Sequence, residues 1–358
     1  MVNQIQSNKF KKILAVETSC DDTSVAIVQD DGFVVHQLSA SQDKEHELYG
    51  GIVPEIASRN HSIVLLRLIE KVLHEAALDY SSVDGFAVTN RPGLIGSLIV
   101  GLMTVKSLSH SLKKPYIGVN HLEGHLLAPF LKDKSYAPPE DFNYPFLALA
   151  VSGGHSSIYL VKGPSDYTII GMTKDDAAGE AFDKFGKMVG LGFPGGVRVD
   201  QNSKGGDKKA YDFPRSLVHD ESLMMSFSGL KSSAHRLVTS LPPEEVKNRL
   251  ADLCASFQES IVDVLISKMI QASKAYKIKR LVITGGVSAN SRLRERCEEL
   301  KNKGFQVVIP PIRYCTDNAA MIGYTGILQL NRGKVSDLSL GPQTNSLESD
   351  FKTDLFKA

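Results

Sequence analysis

The chain has 358 residues, with 41 Lys and Arg against 40 Asp and Glu, and a mean hydropathy of -0.10. Apolar residues make up 42% and charged residues 23%, which is the composition of a folded globular protein and argues against a disordered or fibrous chain. The near-zero net charge excludes a protein that coats nucleic acid by bulk electrostatics, although a local basic patch stays open. We find no run of about 18 apolar residues and expect no membrane span.

The cysteines and the N-terminus indicate the compartment. Cys20, Cys254, Cys297 and Cys315 are scattered and form no CxxC pair, which excludes a zinc ribbon and is typical of reduced intracellular thiols. Residues 1–12 have neither the apolar core of an export signal nor the arginines of a transit peptide, so we interpret them as a polar lead-in to the first strand. The cytoplasm is therefore the expected compartment, and a mature organellar protein would look the same.

Strand and helix patterns alternate in the first half of the chain. Apolar and β-branched runs predict strands at Ile13–Glu17 and Ser24–Val28, joined as a hairpin by an acidic turn. Apolar residues at three- and four-residue steps predict a helix from Pro54 to about Ala77. The next predicted elements are a strand at 85–89, a Gly/Pro turn at 91–93, a helix from residue 95, a strand at 116–119 and a helix that begins at His121.

The pattern restarts after residues 132–144, a polar, proline-containing stretch that we interpret as a linker. It is followed by a second predicted hairpin, at 146–151 and 156–161, and then by a long helix at 250–276 and strands at 280–283 and 307–310. Two halves that each open with a hairpin predict a duplicated α/β architecture. We expect an N-terminal lobe at residues 10–135 plus 318–345 and a C-terminal lobe at 140–317.

The turn of the first predicted hairpin concentrates carboxylates and hydroxyls. Glu17, Asp21 and Asp22 share it with Thr and Ser residues. Backbone N–H groups and hydroxyls in such a turn can hold a phosphate, while a carboxylate organises a cation or a proton transfer. An ordinary acidic β-turn has the same composition.

His121 and His125 are four residues apart, so their imidazoles share one helix face and can bind one transition metal. A pair at this spacing is also often incidental, and a third ligand must come from elsewhere, for which Asp317 in a polar segment is the candidate. Two histidines and a carboxylate with open positions suit Fe(II), and Zn(II) is the competitor. Leu122 stands where an HExxH motif needs glutamate, which disfavours a metallopeptidase.

Three glycine-rich turns begin at Ser152, Gly190 and Gly285. Glycine lets the backbone approach a ligand and present N–H groups to a phosphate or carboxylate, although none of these turns is a Walker A or GxGxxG loop. The acidic segment at 175–184 offers carboxylates suited to ribose hydroxyls, or is a solvated helix start. Basic runs, which lie at 208–209, 277–280 and 292–296, would form an RNA surface only if they lined one side of a cleft.

Together and in this order, the motifs resemble those of the TsaD family, the tRNA N6-adenosine threonylcarbamoyltransferases. The resemblance spans about residues 12 to 330 and rests on segments at 16–23, 121–125, 151–155, 175–184, 190–196, 226–231, 285–290 and 316–320. It implies the α/β actin-like ATPase (ASKHA) fold, with two related ribonuclease-H-like lobes around a central cleft. It also implies transfer of threonylcarbamoyl from threonylcarbamoyl-AMP to N6 of adenosine 37 in tRNAs that read codons beginning with adenine.

The resemblance implies roles for individual residues. His121, His125 and Asp317 would hold one divalent metal, Fe(II) with Zn(II) as the competitor. Asp21 matches a catalytic carboxylate of the family, and Glu17 is a second candidate. The residues that would contact the adenylate are Ala150, Val151, Ser152, Gly153, Gly154, Asp183, Gly196, Asp200 and Asn290.

Two positions depart from the family pattern. Ala150 stands where archaeal and eukaryotic relatives have a metal-ligating tyrosine, which fits the bacterial and mitochondrial branch. Arg91 stands where the family usually has glycine, which leaves the geometry of that turn in question.

The bacterial branch implies TsaB and TsaE as partners and TsaC as the source of the adenylate, whereas a mitochondrial member would act as a homodimer. The helix predicted at 54–77 could supply a helical interface or be a core helix. We expect a bacterial cytoplasmic protein without a membrane partner, and a mature mitochondrial protein is the alternative.

Other functions fit the residues less well. A small-molecule kinase or ATPase of the same fold would turn over free ATP with a sugar or carboxylate acceptor, and it leaves the histidine pair without a role. A metallopeptidase lacks its glutamate. A non-catalytic scaffold gives no reason for the carboxylates and glycines of the motifs.

Overall fold

The computed structural model describes residues 9–355, so the expected polar lead-in lies mostly outside the described residues. The chain divides into two compact units. Unit 1 comprises residues 1–45, 52–139 and 317–350, and unit 2 comprises residues 46–51, 140–316 and 351–358.

The elements up to residue 127 are β1 (Lys12–Glu17), β2 (Thr23–Gln29), β3 (Val34–Ala40), α1 (Asp43–Glu47), α2 (Pro54–Glu75), β4 (Gly85–Arg91), α3 (Ile95–Leu112), β5 (Tyr116–Asn120) and α4 (His121–Leu127). The later elements are β6 (Phe146–Val151), β7 (Ser156–Gly163), β8 (Asp166–Met172), α5 (Ala178–Met188), α6 (Gly195–Asn202), α7 (Ser228–Ser240), α8 (Pro243–Asn248), α9 (Leu250–Tyr276), β9 (Arg280–Thr284), α10 (Ser291–Lys301), β10 (Gln306–Val308), α11 (Ile312–Cys315), α12 (Ala319–Asn331) and β11 (Lys352–Thr353). Short 3₁₀ helices lie at Tyr80–Ser82, Ala128–Phe130, Gly286–Ala289 and Glu348–Asp350.

The two units have sheets of the same topology. The order is β3-β2-β1-β4-β5 in unit 1 and β8-β7-β6-β9-β10 in unit 2, where β11 joins β8 at the edge. In each sheet, the three strands that come first in the chain pair antiparallel with one another, and the next two strands run parallel to the first. The predicted duplicated α/β architecture is confirmed.

Helices cover both faces of the sheet in unit 1. Leu14 and Val16 of β1 pack with apolar residues of α2 and α3. Ala15 points to the opposite face, as alternate strand residues do, and meets α12. A Cβ on Gly323 of α12 would lie 3.2 Å from the Ala15 Cβ, so this glycine lets the helix lie close to the sheet. The close packing positions the start of α12, where Asp317 and Asn318 lie.

Helix α2 has apolar residues on more than its buried face. Leu65, Ile69 and Val72 are buried, whereas Ile63 and Leu66, two members of the apolar pattern that predicted the helix, are each 55% exposed. The helix is confirmed, and it ends at Glu75 rather than at about residue 77.

Helix α3 has the length and composition of a membrane span, which the search for an apolar run did not detect. Its 18 residues have a mean hydropathy of 1.3. It packs against α2 and β4 within unit 1, and Leu98, Leu102 and Val105 are buried there. A core helix of a soluble protein meets the same criteria, so this is weak evidence for a membrane.

Unit 2 is built around α9, whose observed bounds match the predicted helix. Phe257 of α9 stacks on Phe185 of α5 with ring centroids 3.9 Å apart, inside a core that includes residues of β6, β7 and β9. The structure adds β3, β8 and most of the shorter helices, which the sequence did not predict. Because β6 and β9 are parallel neighbours, their carboxyl ends lie side by side, and two of the three glycine-rich turns, those that begin at Ser152 and Gly285, follow them.

Candidate functional site

Helix α4 and the start of α12 bring three possible metal ligands together in unit 1. The Nε2 atoms of His121 and His125 lie 3.1 Å apart. Asp317 Oδ1 lies 3.2 Å from His121 Nε2 and 3.3 Å from His125 Nε2. His121 and His125 are buried, and the Asp317 side chain is 30% exposed. All three predicted ligands therefore face one point.

Local sequence explains this convergence. Gly124, between the histidines, lets α4 pack closely on α12, because a Cβ there would lie 3.0 Å from Met321 Cγ. The side-chain oxygen of Asn120 accepts the Leu122 N–H at 2.8 Å and caps α4. Asn318 caps α12 in the same way by accepting the Met321 N–H at 3.0 Å. Both caps lie next to a possible ligand.

The Glu17 carboxylate orients His121. Its Oε2 accepts a hydrogen bond from His121 Nδ1 at 3.0 Å and another from the Thr89 hydroxyl at 2.5 Å, while Oε1 accepts the Ser19 N–H at 2.5 Å. An ionised carboxylate only accepts hydrogen bonds, so Nδ1 carries a proton, and when His121 gives up its other proton the lone pair lies on Nε2. This carboxylate–histidine arrangement is the usual outer shell of a metal-ligating histidine.

At the three possible ligands, burial and the neighbouring charged groups compete to set the pKa values. Burial disfavours the charged form of His121, but the Asp317 and Glu17 carboxylates outweigh it and raise its pKa well above the usual value. Burial likewise works against ionised Asp317, and the two histidines overcome it and lower its pKa. Burial, the larger effect at His125, lowers the pKa of that residue. Negative charge at Glu17 and Asp317 is thus balanced by positive charge among the ligands.

The donor set fits a divalent metal. With bonds of about 2.1 Å, atoms separated by 3.1 to 3.3 Å would subtend angles of roughly 95° to 105° at one ion, between octahedral and tetrahedral values. Nδ1 of His125 is buried and has no hydrogen-bond partner among residues 9–355, whereas Nε2 faces His121 and Asp317 and is the nitrogen that the geometry offers to a metal. Two histidines and a carboxylate suit Fe(II) and Zn(II).

The acidic turn between β1 and β2 is held by His61 of α2. His61 Nε2 donates to the Cys20 carbonyl at 2.9 Å, so His61 Nδ1 is the acceptor for the Thr23 hydroxyl at 2.7 Å. Burial raises the pKa of Asp21. Burial and the charge of Asp21 raise the pKa of Asp22 to about 7. The turn therefore carries two carboxyl groups that take up protons more readily than usual.

In unit 2, the turn at 152–154 follows β6 and has open space beside it. Nothing lies within 4 Å of a Cβ built on Gly153 or Gly154. The turn is closed by the Ser152 N–H, which donates to the His155 carbonyl at 2.8 Å. The start of α5 packs on the same turn, where a Cβ on Gly179 would lie 2.6 Å from the Ser152 carbonyl oxygen. This exposed backbone is suited to contact a ligand.

The turn after β9 approaches the end of β6 closely. Gly285 has a φ of +87°, and a Cβ there would lie 2.4 Å from the Val151 carbonyl oxygen. Only glycine fits both the conformation and the space. Ala150 and Val151, the predicted contacts at the end of β6, are buried.

The other predicted adenylate residues make contacts inside unit 2. Asp183 accepts the Gly196 N–H at 3.1 Å, and burial raises the pKa of Asp183. Asp200 accepts the Ser291 hydroxyl at 2.6 Å at the start of α10. Asn290 caps α10, and its amide donates to Gln258 at 2.7 Å. These residues hold the turns in place, and a direct contact with the adenylate stays a prediction.

One of the basic runs is engaged in ion pairs. Arg292 binds the Glu259 carboxylate at 2.5 and 2.8 Å. Arg296 contacts Glu259 at 3.1 Å and Asp263 at 2.6 Å. The two arginine side chains are only 12% and 21% exposed, so their charges are neutralised by carboxylates within unit 2 rather than presented to RNA.

Sequence reasoning missed four residues that support the acidic turn or the group formed by His121, His125 and Asp317, which we call the metal-type cluster. The four residues are Ser19, Thr89, Asn120 and His61. Ser19 lies in a motif that was recognised, but its N–H contact with Glu17 was not predicted. Thr89 contacts Glu17 across 72 residues of chain, and no local signal marks it. Asn120 immediately before a predicted helix is a cap signal that could have been recognised.

Comparison with known proteins identifies the family. The family model of TsaD, tRNA N6-adenosine threonylcarbamoyltransferase, matches residues 33–324. The chain belongs to this family. A TsaD-family relative from Bdellovibrio bacteriovorus, named tRNA N6-adenosine threonylcarbamoyltransferase, is 64% identical over 344 residues, which are 96% of this chain and 100% of the relative. A relative of the same name from Thermodesulfovibrio yellowstonii is 50% identical over 92% of this chain and 97% of its own length.

Solved structures show the fold of this TsaD-family chain. HypF from T. kodakarensis superposes with a TM-score of 0.60 at 10% identity, over 90% of this chain and 48% of HypF. Component A of the (R)-2-hydroxyglutaryl-CoA dehydratase of Acidaminococcus fermentans has a TM-score of 0.51 at 14% identity, over 89% of this chain and 98% of its own. These proteins confirm the predicted actin-like ATPase fold and carry no argument about activity.

Proposed function

We propose that this chain transfers the threonylcarbamoyl group from threonylcarbamoyl-AMP to N6 of adenosine 37 in tRNAs that read codons beginning with adenine. The observation that carries the proposal is the family match over residues 33–324, with relatives of the same name along nearly the whole chain. The chain is a transferase and tRNA is its substrate. The donor, the position of the adenosine and the metal are the proposed parts.

The metal belongs to the cluster of His121, His125 and Asp317. Fe(II) is the proposed ion and Zn(II) the competitor, because the donor set suits both. A divalent metal bound there would orient or polarise the threonylcarbamoyl group. Glu17 is buried and its oxygens are used by His121, Thr89 and Ser19, which supports an orienting role rather than the catalytic role considered from the sequence.

The donor determines what the residues must do. In threonylcarbamoyl-AMP the carbamoyl carbon is the electrophile, and the bond to the phosphate oxygen breaks as the bond to N6 forms, so AMP leaves and N6 loses a proton. The exocyclic amine is a poor nucleophile, so positioning supplies much of the acceleration. Asp21 is the proposed acceptor of the N6 proton, because a carboxyl whose pKa is raised is a stronger base than usual.

Unit 2 is the proposed holder of the adenylate. The backbone of Ser152, Gly153 and Gly154 is exposed beside open space and can donate N–H groups to the phosphate. The ribose and base of the adenylate would lie against the remaining predicted contacts of unit 2, which are near turns or helix starts. These residues are Asp183, Gly196, Asp200 and Asn290.

Incorporation of labelled threonine into tRNA tests the proposal. The protein is supplied with bicarbonate, ATP, TsaC and tRNA, with and without TsaB and TsaE. Label at adenosine 37 supports the transferase, and its absence with active partners contradicts it. Replacement of His125 by Ala should abolish both label and bound metal, whereas His219→Ala, which removes an exposed histidine of unit 2, should change neither.

TsaB is the proposed partner, because the resemblance is to the bacterial branch and the relatives from Bdellovibrio and Thermodesulfovibrio are bacterial. Its proposed binding surface lies on unit 1. Helices α2 and α3 pack side by side and both carry exposed apolar side chains. Their exposed fractions are 55% for Ile63, 55% for Leu66, 48% for Ile95, 44% for Ile99 and 53% for Met103. Single exposed apolar residues are common, but five on two adjacent helices are typical of a protein-binding surface. TsaE and the bacterial cytoplasm are proposed on the resemblance alone.

A charge placed on this surface tests the partner. Leu66→Asp should leave the isolated protein folded, because the side chain is already 55% exposed, and should abolish TsaB binding and the label that depends on it. Val335→Asp, at a residue that is 56% exposed in another part of unit 1, is the matched control. Normal TsaB binding by the Leu66 variant would refute the surface. A variant that loses self-association instead would identify a homodimer.

A further inference from the structure

The C-terminal segment of unit 1, residues 341–350, lies against the turn that follows β4. The Gln343 N–H donates to the Asn90 carbonyl at 2.9 Å, and the Gly93 N–H donates to the Thr344 carbonyl at 3.3 Å. The segment therefore contacts the backbone at both ends of the turn that contains Arg91.

Asp350 is the centre of the side-chain contacts of this segment. Arg91 binds its carboxylate with two nitrogens, Nε at 2.8 Å and Nη2 at 2.5 Å. The same carboxylate accepts the Leu347 N–H and the Asn120 amide, each at 2.8 Å. The Asp350 side chain is 8% exposed and that of Arg91 is 18% exposed, so the ion pair is largely shielded from water. Such paired geometry is more specific than a surface salt bridge.

Asn120 connects this ion pair to the metal-type cluster. Its amide nitrogen donates to Asp350 at 2.8 Å and to the Ser346 hydroxyl at 3.1 Å. Its amide oxygen accepts the Leu122 N–H at 2.8 Å and begins α4 at His121. Because the amide group is planar, fixing its nitrogen also fixes the direction of its oxygen and hence the first turn of α4.

The same turn reaches His121 by a second route. The Leu94 N–H donates to the Ser19 carbonyl at 2.8 Å, and the Ser19 hydroxyl lies 3.2 Å from His121 Nδ1. Gly93 also packs on Ser19, where a Cβ would lie 2.5 Å from the Ser19 carbonyl oxygen. The segment at 341–350 is thus linked through two short chains of contacts to one possible ligand.

We propose that Arg91 and Asp350 form a clamp that positions α4 for metal binding through Asn120. The clamp rests on the proposed metal site. Arg91, Asp350 and Asn120 are positioning residues, since none of them touches the point where the three possible ligands converge.

Removal of an outer partner typically weakens metal binding about 10- to 100-fold. Asp350→Asn removes the charge that Arg91 binds. Asn120→Asp keeps a good helix cap but replaces the amide donor by a second carboxylate facing Asp350. We expect either variant to weaken binding by that factor, although neither changes a ligand.

The test is a titration of the metal-free full-length protein with Co²⁺, whose absorption spectrum reports both affinity and ligand geometry. Asp350→Asn and Asn120→Asp should each raise the Co²⁺ dissociation constant about 10- to 100-fold. Arg91→Gln removes the other half of the ion pair and should raise the constant by a similar factor, whereas the double variant Arg91→Gln/Asp350→Asn should bind no more weakly than either single variant, because both changes break the same contact. Asp337→Asn, in the same C-terminal region but hydrogen bonded to Ser339, is the control and should bind as the wild type does.

Urea unfolding of each metal-free variant separates positioning from folding. If Asp350→Asn does not fold, Arg91→Gln and Asn120→Asp decide the question. Wild-type affinity in Arg91→Gln and Asn120→Asp, or losses that multiply in the double variant, would overturn the clamp while leaving the metal site in place. A wild-type protein that binds no Co²⁺ would overturn the metal site and the clamp together.

Discussion

Glu17 Oε2 lies 3.0 Å from His121 Nδ1, although the two residues are 104 positions apart in the chain. A carboxylate oxygen at this nitrogen determines which imidazole nitrogen keeps its lone pair, and it directs that lone pair at His125 and Asp317. The first hairpin and α4 are thereby joined at the metal-type cluster. We therefore infer an orienting role for Glu17, and Asp21 stays the proposed acceptor of the N6 proton.

Glu17→Gln should weaken metal binding about 10- to 100-fold, because an amide is a weaker acceptor and its NH₂ would face a donor, either the Ser19 N–H or the Thr89 hydroxyl. The measurement is metal affinity together with the rate of threonylcarbamoyl transfer at saturating metal. Transfer should largely recover when the site is filled. A variant that binds metal normally but transfers nothing would assign Glu17 to the chemistry instead.

Asp21→Asn should abolish transfer and leave binding of both metal and adenylate near wild-type levels, because the amide cannot accept the N6 proton. Single-turnover transfer of labelled threonine and equilibrium binding of the adenylate are the two measurements. Asp212→Asn, which changes an exposed carboxylate of unit 2, is the control and should transfer normally. Loss of adenylate binding in the Asp21 variant would contradict the role as a base.

Gly179→Ala should raise the KM for the adenylate by at least about tenfold, although alanine is the better helix former by about 1 kcal/mol. The new Cβ would lie 2.6 Å from the Ser152 carbonyl oxygen and 2.8 Å from Gly153 Cα. The backbone at 152–153 would have to move to relieve these contacts, and that displacement is expected to weaken adenylate binding. Gly163→Ala, where nothing lies within 4 Å, is the matched control. An unchanged KM would show that the turn at 152–154 does not hold the adenylate.

Asp22 should make the metal-free protein less stable as the pH rises. Its pKa is raised from an ordinary 3.8 to about 7 by burial and by Asp21. Between these values the folded protein keeps a proton that the unfolded chain has released, so the free energy of unfolding falls as the pH rises from about 4 to about 7. Asp22→Asn removes this contribution and should gain on the order of 2 kcal/mol relative to wild type on going from pH 5 to pH 8.

Urea unfolding at the two pH values, with a chelator present, measures this difference. Asp212→Asn, at an exposed carboxylate of unit 2, provides the control. Parallel pH profiles for the Asp22 variant and the wild type would show that Asp22 is ionised alike in the folded and unfolded chains.

Local patterns predicted the elements whose burial follows a simple period. Helix α9 and strand β6 have the predicted bounds, because their apolar residues are continuous or regularly spaced. Helix α2 was also predicted, but its pattern could not tell Ile69, which is buried, from Leu66, which is exposed. An apolar residue on a partner-binding face produces the same period as one in the core.

The candidate site was predictable only where the chemistry is local. The four-residue spacing of His121 and His125 marks a shared helix face, and the polar segment around Asp317 offered a carboxylate that the resemblance also implied. Thr89 and Asp350 reach the site through tertiary packing, since the Asn120–Asp350 contact joins residues 230 positions apart. No sequence period reports such a contact, so these residues could only be found in the folded chain.

The most direct measurement is a metal titration of the chelated protein in which labelled threonine transferred to tRNA is counted at each addition, with all partners present. Transfer should start near zero, rise linearly with added metal and saturate at one metal ion per chain. Transfer by His125→Ala should stay near zero throughout. Full transfer by the chelated protein, or saturation that is unchanged in His125→Ala, would contradict the assignment of the metal to this site.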